Sequence, residues 1–164
     1  MLYGPGASVN MVGMETARRI IEGLCGGKQK ETNLMSPLAL AYIGDTVYDL
    51  YIRTMFVEKT DLSPRLLHKN CSSYVCAAGQ KEAYMRILPI LTEEERSVFR
   101  RGRNAHSGTI PKNAAVGDYR MATGFEALLG YLFLTGREER LCELISRSIG
   151  WKEEQDEKAG KNAQ

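Results

Sequence analysis

The chain reads as an all-α protein, a bundle of five or six helices. Three observations predict that class. Apolar residues recur at helical spacing over long stretches, helix-start signals precede most of these stretches, and no stretch alternates apolar and polar residues as a strand would. The 164 residues divide into an N-terminal extension and linker over 1–33, one helical domain over 34–150, and a polar tail over 151–164.

Residues 1–13 are rich in Gly, Ser and small side chains and read as a flexible leader. Residues 14–24 suit a short helix closed by Gly26-Gly27, and 28–33 form a polar linker. Ser36-Pro37 then opens the first long helix, with Ser at the N-cap and Pro at N1. Leu38, Tyr42, Val47, Ile52, Met55 and Phe56 carry its apolar stripe to about residue 57. The same signal, Ser63-Pro64, opens a helix predicted to run to the mid-80s, with Leu66, Leu67, Tyr74, Val75, Ala78 and Met85 on its buried face. Pro89 ends that region. Thr92-Glu93-Glu94-Glu95 is a capping box for a short helix that runs into Arg100-Arg101-Gly102-Arg103, and a polar loop is predicted from Asn104 to Asn113. A second long helix runs from near Val116–Asp118 to Gly136, and a last one from Glu138 to Ile149, stopped by Gly150. From residue 152 the chain is charged and offers little to bury, which predicts disorder.

Composition excludes several classes. An apolar fraction of 43%, a charged fraction of 26% and a net charge of +2 are ordinary for a globular domain. The four cysteines form no Cys-x-x-Cys pair, and His68 and His106 are not spaced with them as zinc ligands. Reduced, partly buried thiols are expected. No apolar run reaches membrane-spanning length, and no secretory signal precedes the domain, so the expected location is the cytoplasm, with no membrane partner.

Two acidic residues stand out because each sits inside a strongly apolar helical pattern. Asp45 lies in Tyr42-Ile43-Gly44-Asp45-Thr46-Val47-Tyr48, and Glu126 in Gly124-Phe125-Glu126-Ala127-Leu128-Leu129-Gly130. A carboxylate in such surroundings is costly unless it meets a cation or a hydrogen-bond donor. Two of them on long helices able to pack together suggest a shared divalent metal. Glu126 has Ala122, Thr123, Leu129 and Gly130 at helical spacing, and three of those are small enough to leave room for a hydrated ion and a phosphate. Mg²⁺, with Mn²⁺ as a substitute, suits a site with few carboxylates and several waters. Such an ion activates water and stabilises a leaving oxygen, as phosphodiester hydrolysis needs. Asp45 and Glu126 would be ligands rather than nucleophiles. The competing reading is plain ion pairing, of Asp45 with Arg53 or Arg120 and of Glu126 with an arginine from a neighbouring helix. Asp49 shares the face of Asp45 and is a supporting candidate behind the ligands, as is Thr123.

Between the two acids lies a basic segment. Residues 96–117 hold Arg96, Arg100, Arg101, Arg103 and Lys112 and no acid. Asn104, His106, Ser107, Thr109 and Asn113 add neutral hydrogen-bonding groups, the mixture that contacts a nucleic-acid backbone. The segment has no aromatic interleaving of the kind that stacks single strands, so duplex recognition through phosphates and 2′-hydroxyls fits better than single-strand binding. A solvated basic loop is the alternative.

Three ordered motifs together resemble the short Mini branch of the ribonuclease III family. They are Ser36-Pro37-Leu38-Ala39-Leu40-Ala41-Tyr42-Ile43-Gly44-Asp45, then Arg101-Gly102-Arg103-Asn104-Ala105-His106-Ser107-Gly108 with Pro111-Lys112-Asn113, then Phe125-Glu126-Ala127-Leu128-Leu129-Gly130-Tyr131-Leu132. The likeness spans about residues 34–149. It implies a ribonuclease III-like endonuclease bundle, a homodimer, and Mg²⁺-dependent cleavage of double-stranded RNA, with Asp45 and Glu126 as the catalytic metal-binding acids. It also implies precursor 23S ribosomal RNA as substrate, with a ribosomal protein or pre-ribosomal particle as a further partner. The full-length family pattern has acids where this chain has Ala41 and Thr123, which implies fewer protein ligands and more water at the metal. No separate duplex-binding domain fits after residue 150, so the nuclease domain is expected to grip RNA unaided. The helix opening at Pro64 and the one holding Glu126 are candidate dimer surfaces. Two rival readings remain at this level: a non-catalytic duplex-RNA-binding module of the same fold, and a helical interaction protein with salt-bridged acids.

Overall fold

A computed structural model describes residues 19–26, 30–106 and 115–150. The chain divides into two units, Met1–Met35 and Ser36–Gln164. In the first, residues 19–24 are helical and Gly26 turns the chain at φ 60°. Thr32–Leu34 forms one 3₁₀ turn.

Among the described residues the second unit holds six α-helices: α1 (Pro37–Lys59), α2 (Pro64–Val75), α3 (Ala77–Ile87), α4 (Glu93–Asn104), α5 (Val116–Leu134) and α6 (Glu138–Ile149). No strand occurs among the described residues. The all-α expectation holds. The Ser36 hydroxyl accepts from Ala39 N at 3.1 Å with Pro37 behind it, as the sequence signal demands. Thr92 and Glu95 close a complete capping box on α4 (Glu95 N to Thr92 Oγ1 3.2 Å, Thr92 N to Glu95 Oε2 2.8 Å). Gly150, at φ 61°, ends α6 in the left-handed conformation.

The helix expected from Pro64 to the mid-80s is two helices. The chain breaks at Cys76, which is extended (φ −70°, ψ 160°) and serves both as C-cap of α2 and N-cap of α3. Gly79 makes the corner compact, because a Cβ there would collide with the Ser73 carbonyl oxygen. The break also changes which residues are covered. Leu66, Ala78 and Met85 are exposed, and the buried positions are Cys71, Gln80, Ala83, Tyr84 and Ile87. On α1, Leu38 and Tyr42 are exposed as well, and the core face is Leu40, Ala41, Gly44, Val47, Tyr48, Ile52 and Phe56.

α5 is the axis of the domain. From Ala122 to Leu132 every residue except Glu126 is buried. α1, α3, α4 and α6 all pack on it. Small residues set how closely they approach. A Cβ at Gly44 of α1 would collide with the Glu126 carbonyl, and a Cβ at Gly130 of α5 would collide with the Leu40 carbonyl. The backbones therefore touch at this crossing, as only glycine permits. On the α4 side, a Cβ at Gly102 would lie 2.6 Å from the Ala127 Cβ, and one at Gly124 2.6 Å from the Phe99 ring. Aromatic pairs complete the core: Tyr84 stacks on Phe99 at 3.6 Å, and Tyr48 meets Phe125 edge-on at 5.1 Å.

One buried ion pair ties α4 to α6. Arg140 binds Glu95 through two hydrogen bonds of 2.8 and 2.9 Å and also reaches Ile90 O at 2.7 Å. Burial alone raises the Glu95 pKa, but the Arg140 guanidinium and the cap hydrogen bonds outweigh it and hold it below the ordinary carboxylate range. Beside it, Glu94 takes a forked pair from Arg137 at 2.7 and 2.8 Å and a hydrogen bond from Tyr131 at 2.6 Å, which lower its pKa to about 2.

The glycine crossing gives a direct prediction. Gly130→Ala should destabilise the domain by about 3 kcal/mol or more, because backbone rather than a movable side chain stands in the way. A denaturant melt unchanged within 1 kcal/mol, a margin of roughly the size of a tolerated core swap, would show that the helices can separate at little cost.

Candidate active site

Asp45 follows Gly44 on α1, and Glu126 is the residue whose carbonyl Gly44 approaches on α5. The crossing therefore brings the two acids together. They are not equally covered: Asp45 is exposed, and Glu126 is partly buried. The apolar flanks that suggested two embedded acids thus surround one exposed acid and one recessed one.

Glu126 carries the electrostatic signature of the site. Its pKa is pushed up to about 8, first by burial and then by the Asp45 charge facing it. The Gln80 amide opposes this shift. That amide comes close enough to favour the charged carboxylate, yet neither its nitrogen nor its oxygen closes a hydrogen bond of full geometry. Among the described residues no lysine or arginine pairs with Asp45 or Glu126. The ion-pair reading of these acids therefore lacks its cations. Arg53, one of the partners it called for, binds Asp49 instead, at 2.6 Å.

These residues fit a divalent cation. A recessed carboxylate whose charged form is disfavoured by burial and by a facing acid is relieved when a cation enters. Among the described residues no cluster of three or more His, Cys, Asp or Glu exists to hold a metal. A pair suffices for Mg²⁺, which keeps several waters. Ala41 is buried in the core, and the Thr123 hydroxyl donates to Tyr119 O on its own helix at 3.0 Å. Neither position adds a carboxylate. Asp49 uses Oδ2 for Arg53 and leaves Oδ1 buried without a partner.

The helix expected to run into Arg100-Arg101-Gly102-Arg103 carries all of them and ends at Asn104, where the loop was expected to begin. Arg100, Arg101, Arg103 and Asn104 are exposed residues of the last turns of α4, and His106 follows, also exposed. Gly102 between them is buried against Thr123, Gly124 and Ala127, which docks the basic turn one helical step from Glu126. Arg100 also lies 3.8 Å from Glu93. Ser107, Thr109, Lys112 and Asn113 lie outside the described residues.

Gln80 was not singled out in the sequence, although it left a trace there. Gln80, Ala83, Tyr84 and Ile87 form a helical stripe in which one member is an amide. An uncharged polar residue on an otherwise apolar face is the signal.

A helical domain with paired acids at a helix crossing and a basic turn beside them is the class the structure defines. Residues 38–137 match the model of the Ribonuclease III domain. The chain belongs to the ribonuclease III family, in its Mini-ribonuclease 3 branch, and is an endoribonuclease. It is 51% identical to Mini-ribonuclease 3 of Thermoanaerobacter sp. over 70% of this chain and 81% of that one. It is 44% identical to Mini-ribonuclease 3 of Clostridium tetani over 82% of this chain and 89% of that one. A crystal structure of a Fusobacterium nucleatum protein superposes with a TM-score of 0.67 at 29% identity, covering 76% of this chain and 99% of that one. No helix among the described residues is long and apolar enough to cross a membrane.

The raised Glu126 pKa predicts a pH dependence for the metal-free protein. Between the ordinary carboxylate range and about 8, the folded state keeps a proton that the unfolded chain has released. Stability must then fall as pH rises through that window, by about 1–3 kcal/mol after allowing for partial solvent access. Thermal melts in a chelator from pH 5 to 8.5 should show this decline, and Glu126→Gln should flatten it. An equal slope in both proteins would contradict the assignment.

Proposed function

We propose that this chain cleaves double-stranded RNA with the help of a divalent cation, Mg²⁺ with Mn²⁺ as a substitute, and that Asp45 and Glu126 hold that cation. The observation that carries the reading is the opposition of these two acids at the α1–α5 crossing, with no lysine or arginine paired to either among the described residues. When bound, the cation supplies an activated water and stabilises the leaving oxygen of the phosphodiester. Glu126 must release its proton for the ion to bind, and the recessed position keeps its carboxylate oriented. Asp45, being exposed, meets the substrate side. Asp49 stands behind the pair as a supporting residue, whereas the Thr123 hydroxyl is committed to its own helix.

Substrate binding falls to Arg100, Arg101, Arg103, Asn104 and His106, continued by Ser107, Thr109, Lys112 and Asn113. The aromatic residue of α4, Phe99, is buried at 3% exposure, so this face offers charge and hydrogen bonds rather than a stacking surface. That supports a duplex. Membership of the Mini-ribonuclease 3 branch supports precursor 23S ribosomal RNA as the substrate, within a pre-ribosomal particle in the cytoplasm.

A homodimer would bring two such sites to the two strands of one duplex. α5 has little surface to give a partner, because its central residues are covered within the chain. α1 does: Tyr42 (78% exposed), Leu50 (63%) and Val57 (60%) form an apolar stripe beginning one turn before Asp45. That stripe is the better candidate for the dimer surface, and Leu66 of α2 adds to the exposed apolar area.

Asp45→Asn and Glu126→Gln should each lower cleavage of a labelled ribosomal-RNA stem in Mg²⁺ by roughly 10³-fold or more while leaving duplex affinity within a few-fold. Arg101→Ala should instead weaken binding and reduce the salt slope by about 1. Cleavage at the native rate by both acid variants would overturn the reading.

A further inference from the structure

The most heavily covered polar side chain near the site is not one of the acids. Gln80 is 1% exposed, and both its amide nitrogen and its amide oxygen are buried without a hydrogen-bond partner. An amide offers two donors and two acceptor lone pairs. Leaving them without a hydrogen bond of full geometry in the interior is costly, and an apolar residue of the same size would avoid that cost. The fold nevertheless places this group firmly. The Cys76 break starts α3, Gly79 packs the corner against the Ser73 carbonyl, and Gln80 N bonds to Cys76 O at 2.9 Å. Its neighbours at helical spacing, Ala83, Tyr84 and Ile87, anchor the helix in the core, and α3 packs directly on α5. The side chain lies against the Glu126 carboxyl.

We propose that Gln80 is a positioning residue for cation binding: its amide is held in reserve to donate to Glu126 when that carboxylate binds the cation. The proposal rests on the reading of Glu126 as a cation ligand. Groups that orient a metal ligand from behind typically govern affinity or rate by 10–100-fold, and an unpaired buried amide beside a carboxylate is the arrangement expected before the ion arrives. With only two protein acids in the site, the orientation of each matters more than it would in a richer ligand set. Thr123 does not supply this support, since its hydroxyl bonds to its own helix.

The test is Gln80→Met, close in size and without the amide, with Gln80→Leu as a second variant. In a chelator, the Met variant should melt at the same temperature as the native protein or a few degrees higher, because an unsatisfied group has been removed. Titration with Mg²⁺ alone, read by the rise in melting temperature, should show affinity weakened roughly tenfold or more. On a perfectly paired RNA duplex, kcat should fall about 10–100-fold with KM little changed, and raising Mg²⁺ should recover part of the loss. Native Mg²⁺ affinity and kcat in both variants would overturn the proposal, as would losses that simply track a lower melting temperature. Glu126→Gln run alongside separates the two ideas. If it still cuts, the ligand reading fails; if it is inactive while Gln80→Met cuts normally, only the role of Gln80 fails.

Discussion

The close approach of α1 and α5 at Gly44 and Gly130 is the constraint on which the rest depends. Each glycine faces a backbone carbonyl of the other helix, so no side chain fits between them. This contact settles two things together. It buries the middle of α5 as the axis of the domain, and it fixes the separation of Asp45 and Glu126, which sit beside the touching atoms. Stability and site geometry therefore share one set of contacts. Gly102 and Gly124 repeat the device on the α4 side, bringing the exposed arginines to the same central stretch of α5. Closely packed interiors resist adjustment, so the acids and the basic turn are held by the core rather than by mobile segments.

Within one small domain, acids meet two opposite fates. Glu94 and Glu95 are each held by an arginine, and their pKa values fall. These pairs join α4 to the region around α6. Removing Arg140 from Glu95 would strand a buried charge, at a cost of about 3–5 kcal/mol. Glu126 has burial and a facing carboxylate instead of a cation, and its pKa rises. A fold that pairs its buried Glu95 with an arginine gives Glu126 no cationic partner among the described residues. That contrast favours a functional role for Glu126 over a structural one.

The helical class, the caps at Ser36 and Thr92 and the stop at Gly150 were legible because each is a local event that the backbone must satisfy. The candidate acids were legible for a related reason: a charge amid apolar residues violates a local pattern. The break at Cys76 was not, since Cys76-Ala77-Ala78 carries no proline and the corner depends on Gly79 meeting a carbonyl in the preceding helix. Missing it displaced the helical phase, so Leu66 and Met85 were expected inside and Gln80 was passed over. Tyr42 was expected in the core because sequence periodicity cannot tell a face covered within the chain from one left free. The unequal exposure of Asp45 and Glu126 depends on how α3 and α5 pack, which no local pattern encodes.

The central claim is that Asp45 and Glu126 form one shared cation site. The most direct measurement is a double-mutant cycle on metal binding, following Mn²⁺ association by electron paramagnetic resonance in the native protein, Asp45→Asn, Glu126→Gln and the double variant. A shared site predicts that either single change removes nearly all of the tight binding and that the double change adds little, a strongly non-additive result. Two independent partial losses that sum in the double variant would contradict it.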